Sequence, residues 1–89
     1  MSTATRTTVI NDPVGIHARP AAEFSQAVTA SGCTVTISKK PGTPGVNASS
    51  ILSVMGLGVK AGDTIEIIVN GDDAETVADS LIATLTKGE

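Results

Sequence analysis

The residues best suited to chemistry in this sequence are His17 and Arg19, which stand close together in the segment 15–22. His17 is the only histidine of the chain, and a neutral imidazole, with an unperturbed pKa of ~6.5, is a nucleophile near neutral pH. Arg19 supplies a planar fork of N–H donors that suits phosphate oxygens. The pair therefore indicates a phosphoryl acceptor beside a stabilising guanidinium. On residue types alone, a histidine that merely caps a helix, with a solvated arginine, is the commoner interpretation.

The surrounding residues predict that this pair lies at the start of a helix. Pro20 is tolerated only in the first turn of a helix, and residues 21–28 are rich in helix formers. The helix should therefore begin near Ala18, with His17 at or beside its cap. The first N–H groups of a helix lack internal partners and carry the positive end of its dipole. The backbone N–H groups of Ala18 and Arg19 are thus candidates for binding a phosphate.

Two segments of the chain resemble a known family. Residues 12–24, DPVGIHARPAAEF, are similar to the active-site segment of HPr, the histidine-containing phosphocarrier of the sugar phosphotransferase system. Residues 46–59, VNASSILSVMGLGV, resemble the regulatory-serine region of that family. Length and element order agree too, so the resemblance covers nearly the whole chain.

The resemblance implies a function for each segment. His17 should accept a phosphoryl group from phospho-enzyme I, with Arg19 stabilising it, and pass the group to enzyme IIA domains for sugar uptake. Ser50 stands where a dedicated serine kinase phosphorylates the family in some bacteria. The family's partners dock over the second segment, so the residues expected to line or support docking are Phe24, Ile51, Leu52 and Met55.

The same residues leave alternatives open. A nitrogen-related paralogue of the phosphotransferase system would carry the same active-site motif. A non-carrier regulatory binding module would use His17 only as a cap. Ser50 has a purely structural role available too, because a serine N-cap is worth ~1 kcal/mol against alanine, although Ser49 is an equally plausible cap. Val14 departs from the polar Ser or Asn of many family members, which leaves more of the phosphate binding to backbone amides and Arg19.

Composition narrows the function further. The 89 residues suffice for a single domain, 1–89, with one core. The net charge is −3 and Phe24 is the only aromatic residue, which argues against nucleic-acid binding. The single cysteine excludes an internal disulfide. Neither a signal peptide nor a membrane-spanning stretch is predicted, so we expect the protein in the cytoplasm. A small carrier that presents one face to successive partners is expected to be a monomer.

The motifs of an independent enzyme are missing from the sequence. It has no glycine-rich nucleotide loop, and one histidine with one cysteine cannot form a zinc site of ordinary ligand count. We therefore expect no metal and no cofactor. A phosphoryl group must come from another protein, which favours a carrier over an enzyme with its own turnover.

Hydrophobic periodicity and turn residues predict the elements that hold these segments. Strands are expected at 5–10, 33–38, 45–47 and 65–69, and the first helix at 18–30. Ser49 or Ser50 should cap a short second helix, and Asp72 a third, with Glu75 completing a capping box. The order β-α-β-β-α-β-α predicts an α+β two-layer sandwich. The resemblance implies its particular form, an open-faced sandwich with a four-stranded antiparallel sheet covered on one face by three helices.

Overall fold

The computed structural model describes residues 2–10, 18–39, 42, 45–60 and 62–86, with the backbone only at 18–20 and 86. Seven elements follow in the predicted order. They are β1 (Ser2–Val9), α1 (Ala18–Ser31), β2 (Thr34–Ser38), β3 (Val46–Asn47), α2 (Ile51–Gly56), β4 (Thr64–Gly71) and α3 (Ala74–Thr86).

The four strands form one antiparallel sheet in the order β1-β4-β2-β3. Side chains alternate along β4, where Ile65, Ile67 and Val69 are buried while Ile68 is exposed. The buried side of the sheet meets the helices, because successive strand residues point to opposite faces. The other side stays open, so the α+β open-faced sandwich predicted from the sequence is confirmed.

The core lies between the sheet and the helices. Phe24 of α1 is its largest fully buried side chain. It is joined by the inward residues of β2 and β4 and by the apolar faces of the helices, which include Val28, Val54, Ala78 and Leu81. This core holds α1 and α2, the two helices that carry the predicted functional segments, on the same layer of the molecule.

β1 differs from its predicted bounds at both ends. It begins at Ser2 rather than residue 5, because its pairing with β4 continues as far as Ser2 opposite Gly71. It stops at Val9, because the N–H of Ile10 donates instead to the carbonyl of Asp63, at 2.9 Å. The carbonyl of Ile10 accepts from the N–H of Gly62 at 2.8 Å. The chain is thus held to the turn before β4 at the point where it leaves the sheet.

The predicted cap of α3 at Asp72 is wrong by one residue. The carbonyl of Asp73 accepts the first helical hydrogen bond, from the N–H of Val77 at 2.9 Å, so Asp73 is the N-cap. Its φ of 55° lies in the left-handed region, which aspartate tolerates better than most residues. Glu75 therefore falls one position too early for a capping box, and its carboxylate lies 3.8 Å from the Arg6 guanidinium instead.

Candidate functional site

The predicted phosphoryl site lies where α1 begins. The helix begins at Ala18, as the sequence predicts. Ala18 and Arg19 therefore belong to its first turn. His17 directly precedes this turn in the sequence and, with Val14, lies outside the described residues. The structure thus gives the position of the backbone predicted to bind phosphate, and leaves the role of His17 a prediction.

The first turn of α1 combines two sources of positive potential. Described in backbone throughout, it reads Ala-Arg-Pro-Ala and contains no acidic residue. The N–H groups of the turn have no partner within the helix and carry the positive end of its dipole. Arg19 adds a full positive charge at the end of the helix where a cation costs about 0.3–1 kcal/mol. An anion bound here would remove that cost, so the turn is suited to a phosphate.

Phe24 was expected either to line the docking surface or to support it from beneath, and it cannot line that surface. Its side chain is fully buried in the core below α1, because the helix turns this position, together with Ala21 and Val28, towards the sheet. A partner protein therefore cannot contact Phe24 without unfolding the helix. Its contribution is indirect, since the ring anchors α1 on the sheet.

The structure distinguishes the two candidate caps of α2. The hydroxyl of Ser50 accepts a hydrogen bond from the N–H of Ser53 at 3.3 Å, and its backbone is extended, as an N-cap requires. Ser49 turns the other way: its hydroxyl and its N–H both donate to Oδ1 of Asn47, at 2.7 and 3.0 Å. Ser50 is therefore the cap, and its hydroxyl remains partly exposed.

Three apolar side chains of α2 face solvent. Leu52 is 83% exposed, while Met55 and Ile51 are about 41% and 39% exposed. Val54 of the same helix is fully buried. All three are among the residues expected to line or support docking, and all three are exposed. We call Ile51, Leu52 and Met55 the α2 patch; its use in docking remains a prediction.

A groove extends the α2 patch towards α1. Its volume is about 310 Å³, and Ile51 belongs to both the groove and the patch. The other residues that line it are Ser25, Gln26, Thr29, Ala30 and Ser49. Helix α1 and the patch therefore form one continuous surface, open to a partner along the line where the two helices meet.

Ser25 was not singled out in the sequence analysis, although it lies at the base of this groove. It is 3% exposed, on the face of α1 that Ala21, Phe24 and Val28 bury. Its hydroxyl donates to the carbonyl of Ala48 at 3.0 Å. The available signal was a polar residue on the apolar face of an otherwise amphipathic helix.

The described residues offer no alternative site for metal chemistry. Across the described ranges, no three His, Cys, Asp or Glu side chains are grouped to hold a metal ion. Within the same part of the chain, no helix is both long and apolar enough to cross a membrane.

Comparison with known proteins identifies relatives of this chain. The model of a family described as "PTS HPr component phosphorylation site" matches residues 4–87. The phosphocarrier protein HPr of Streptomyces coelicolor is 43% identical over 74 residues, which cover 83% of this chain and 78% of that protein. The HPr of Mycoplasma pneumoniae is 37% identical over 79 residues, 89% of each chain. The crystal structure of HPr from Bacillus anthracis superposes with a TM-score of 0.84 at 30% identity, covering 97% of this chain and 100% of that one.

Proposed function

We propose that this chain, which belongs to the HPr family of phosphotransferase-system phosphocarriers, accepts a phosphoryl group on His17 from phospho-enzyme I and passes it to enzyme IIA domains for sugar uptake. The general role of the family, carrying a phosphoryl group among components of that system, applies to the chain as a member. The acceptor residue, the named partners and the regulation at Ser50 are the specific content of the proposal.

In the proposed reaction the imidazole of His17 attacks the phosphorus of the donor. The bond between phosphorus and the donor breaks as the P–N bond to His17 forms, by family analogy at Nδ1. In the second transfer an acceptor group of an enzyme IIA domain attacks the same phosphorus, and the P–N bond to His17 breaks as the new bond forms. Because each step only moves the phosphoryl group from one protein group to another, it needs neither a nucleotide nor a cofactor held by this chain.

One observation carries this proposal: the first turn of α1 directly follows His17 and contains no acidic residue. Its N–H groups, which have no partner within the helix, and Arg19 would stabilise the new phosphate dianion through charge-assisted hydrogen bonds. Such contacts at a surface contribute about 0.3–1 kcal/mol each from the dipole. That is enough to orient the phosphoryl group and too little to trap it, as a carrier requires.

The α2 patch supplies the proposed docking surface for both partners, which we expect to bind a monomer of this chain in turn. Ser50 lies at its edge, immediately before Ile51. A phosphate on Ser50 would add about −1.5 to −2 charges at the head of α2. The helix end tolerates that charge, whereas an acidic partner approaching the patch would be repelled. Regulation at Ser50 would therefore act on docking and leave the fold intact.

The proposal is tested by incubating the chain with enzyme I, phosphoenolpyruvate and Mg²⁺ and measuring its intact mass before and after brief acid treatment. We expect a gain of one phosphate that acid removes, because phosphohistidine is acid-labile. His17→Ala should abolish the gain, while Ser50→Ala, a matched loss of the other candidate acceptor, should keep it.

Four other results would contradict parts of the proposal. A gain that survives acid would indicate a phosphoserine. A gain only with the enzyme I of a nitrogen-related system would assign the chain to that branch. The absence of any gain with both kinds of enzyme I, each shown to be active, would favour a non-carrier binding module. Loss of the folded state in His17→Ala would favour the capping role of the histidine.

A further inference from the structure

Ser25 is an unexpected residue for its position. It shares the buried face of α1 with Ala21, Phe24 and Val28, and only 3% of its surface is exposed. A buried hydroxyl costs free energy unless it is hydrogen-bonded, and apolar residues are the usual occupants of such a position. The compensation is its hydrogen bond to the carbonyl of Ala48, which joins residues far apart in the sequence.

Ala48 links three parts of the structure. Its carbonyl accepts from Ser25 of α1 at 3.0 Å, and its N–H donates to the carbonyl of Val35 in β2, also at 3.0 Å. Its side chain is completely buried. Ala48 is thus tied to both layers of the sandwich, and it stands two positions before Ser50, the cap of α2.

Helix α2 depends on such anchors. It spans only Ile51–Gly56, far short of the length at which a helix is stable in water by itself. It is stabilised by its N-cap, Ser50, and by the burial of Val54, its single fully buried side chain. Apolar packing tolerates small displacements, whereas a buried hydrogen bond is directional and selects one arrangement. The Ser25–Ala48 bond is therefore suited to setting where α2 begins relative to α1.

We propose that Ser25 is a positioning residue, which fixes α2 against α1 so that the α2 patch and the start of α1 meet a partner as one surface. The inference about docking rests on the proposed carrier function, while the inference about the position of α2 does not. Partners would then bind only the fraction of molecules in which α2 is correctly placed, and the apparent affinity falls in proportion to that fraction.

The test compares Ser25→Ala and Ser25→Val with Ser38→Ala. Ser38 is the matched control, since it is equally buried, at 3% exposure, but belongs to β2 in the sheet. Amide hydrogen exchange of Val54, Leu57 and Gly58, whose N–H groups donate within and after α2, reports the positioning. In Ser25→Ala the buried carbonyl of Ala48 loses its partner, and we expect these amides to exchange about tenfold faster.

Ser25→Val separates positioning from stability. Valine also leaves the Ala48 carbonyl without its serine donor, but its two methyl groups add apolar burial that offsets the lost hydrogen bond. We therefore expect global unfolding by urea to lie nearer that of the wild type than in Ser25→Ala, while the α2 amides still exchange about tenfold faster. The N–H of Val77, which lies in a different helix and donates to Asp73, should exchange at the wild-type rate in this variant. With enzyme I, the KM for the carrier should rise at least twofold, with kcat unchanged.

The two arms give separate answers. Equal α2 exchange in the Ser25 variants and Ser38→Ala would overturn the inference, whatever the phosphorylation assay shows. Faster α2 exchange with a wild-type KM would overturn the link between α2 and docking. If the wild type takes no phosphate from active enzyme I, the proposed function fails, and exchange alone still decides whether Ser25 positions α2.

Discussion

Leu52 offers the sharpest test of the α2 patch, because the structure separates its role in docking from any role in folding. It is 83% exposed, and both leucine and alanine favour helices, so Leu52→Ala should change the free energy of unfolding by no more than about 0.5 kcal/mol. A partner that covers the patch would bury this side chain. Only the complex should therefore be affected.

The expected loss of affinity follows from the surface left to bury. Full burial of a leucine contributes about 1.5–3 kcal/mol. With 83% of Leu52 still available to a partner, and with the Cβ retained in alanine, Leu52→Ala should cost about 1–2 kcal/mol in docking. That corresponds to a rise of about five- to thirtyfold in the KM of enzyme I for the carrier.

Val54 is the matched control, because it lies on the same helix and is fully buried. Val54→Ala removes two buried methyl groups and leaves a cavity, at a cost of about 2 kcal/mol in unfolding free energy, or about 8–16 °C in Tm. Urea denaturation and steady-state phosphotransfer at varied carrier concentration measure the two effects. A wild-type KM for Leu52→Ala would refute docking through the patch. A Tm loss in Leu52→Ala equal to that of Val54→Ala would refute the exposure of Leu52.

Two further predictions concern the N-terminal ends of α2 and α1. In urea denaturation, Ser50→Ala should lower the unfolding free energy by about 1 kcal/mol, and Ser49→Ala should lower it by less than about 0.5 kcal/mol. Ser50→Asp should retain the cap, yet its negative charge should slow phosphorylation by enzyme I. Arg19→Ala should leave the unphosphorylated protein as stable as the wild type or about 0.3–1 kcal/mol more stable at low salt, while phosphotransfer slows. Destabilisation with normal transfer would instead identify Arg19 as a structural residue.

The sequence predicted the helices better than the strand ends. Pro20 and the apolar spacing that follows it place the start of α1 at Ala18, where the structure has it. The start of β1 could not be read in this way, because Ser2 and Thr3 carry no apolar pattern. Their strand conformation comes from pairing with Gly71 and Asn70 of β4, a contact between distant parts of the chain. Register of this kind depends on the assembled sheet.

The choice of each helix cap likewise depended on contacts that residue types alone do not show. Ser49 and Ser50 are equally good caps by type, and the choice falls to Ser50 because Ser49 is engaged by the side chain of Asn47. Asp72 and Asp73 are likewise interchangeable by type. Asp73 is the cap, since its carbonyl accepts the first bond of α3. Local propensity therefore placed both helix starts within one residue, and the surrounding structure made the final selection.

Exposure in the candidate site was predictable in part. Phe24 is spaced with Ala21 and Val28 as the apolar face of a helix requires, and this periodicity argues against contact with a partner. For α2 the apolar residues of the sequence do not indicate which of them would be exposed. Val54 takes the buried position because a six-residue helix turns only one narrow stripe towards the core.

Helix α1 breaks two rules of a stable helix, one at the proposed phosphoryl site and one at the base of the groove beside the α2 patch. Arg19 adds positive charge to an end that is already positive, and Ser25 puts a hydroxyl where an apolar side chain would pack better. The surrounding structure compensates Ser25 through Ala48. The first turn of α1 itself contains no acidic residue. Conflicts between local preference and global structure concentrate at functional sites. A phosphate bound at this helix end would offset its positive charge only while it is bound, which is the behaviour proposed for a phosphoryl carrier.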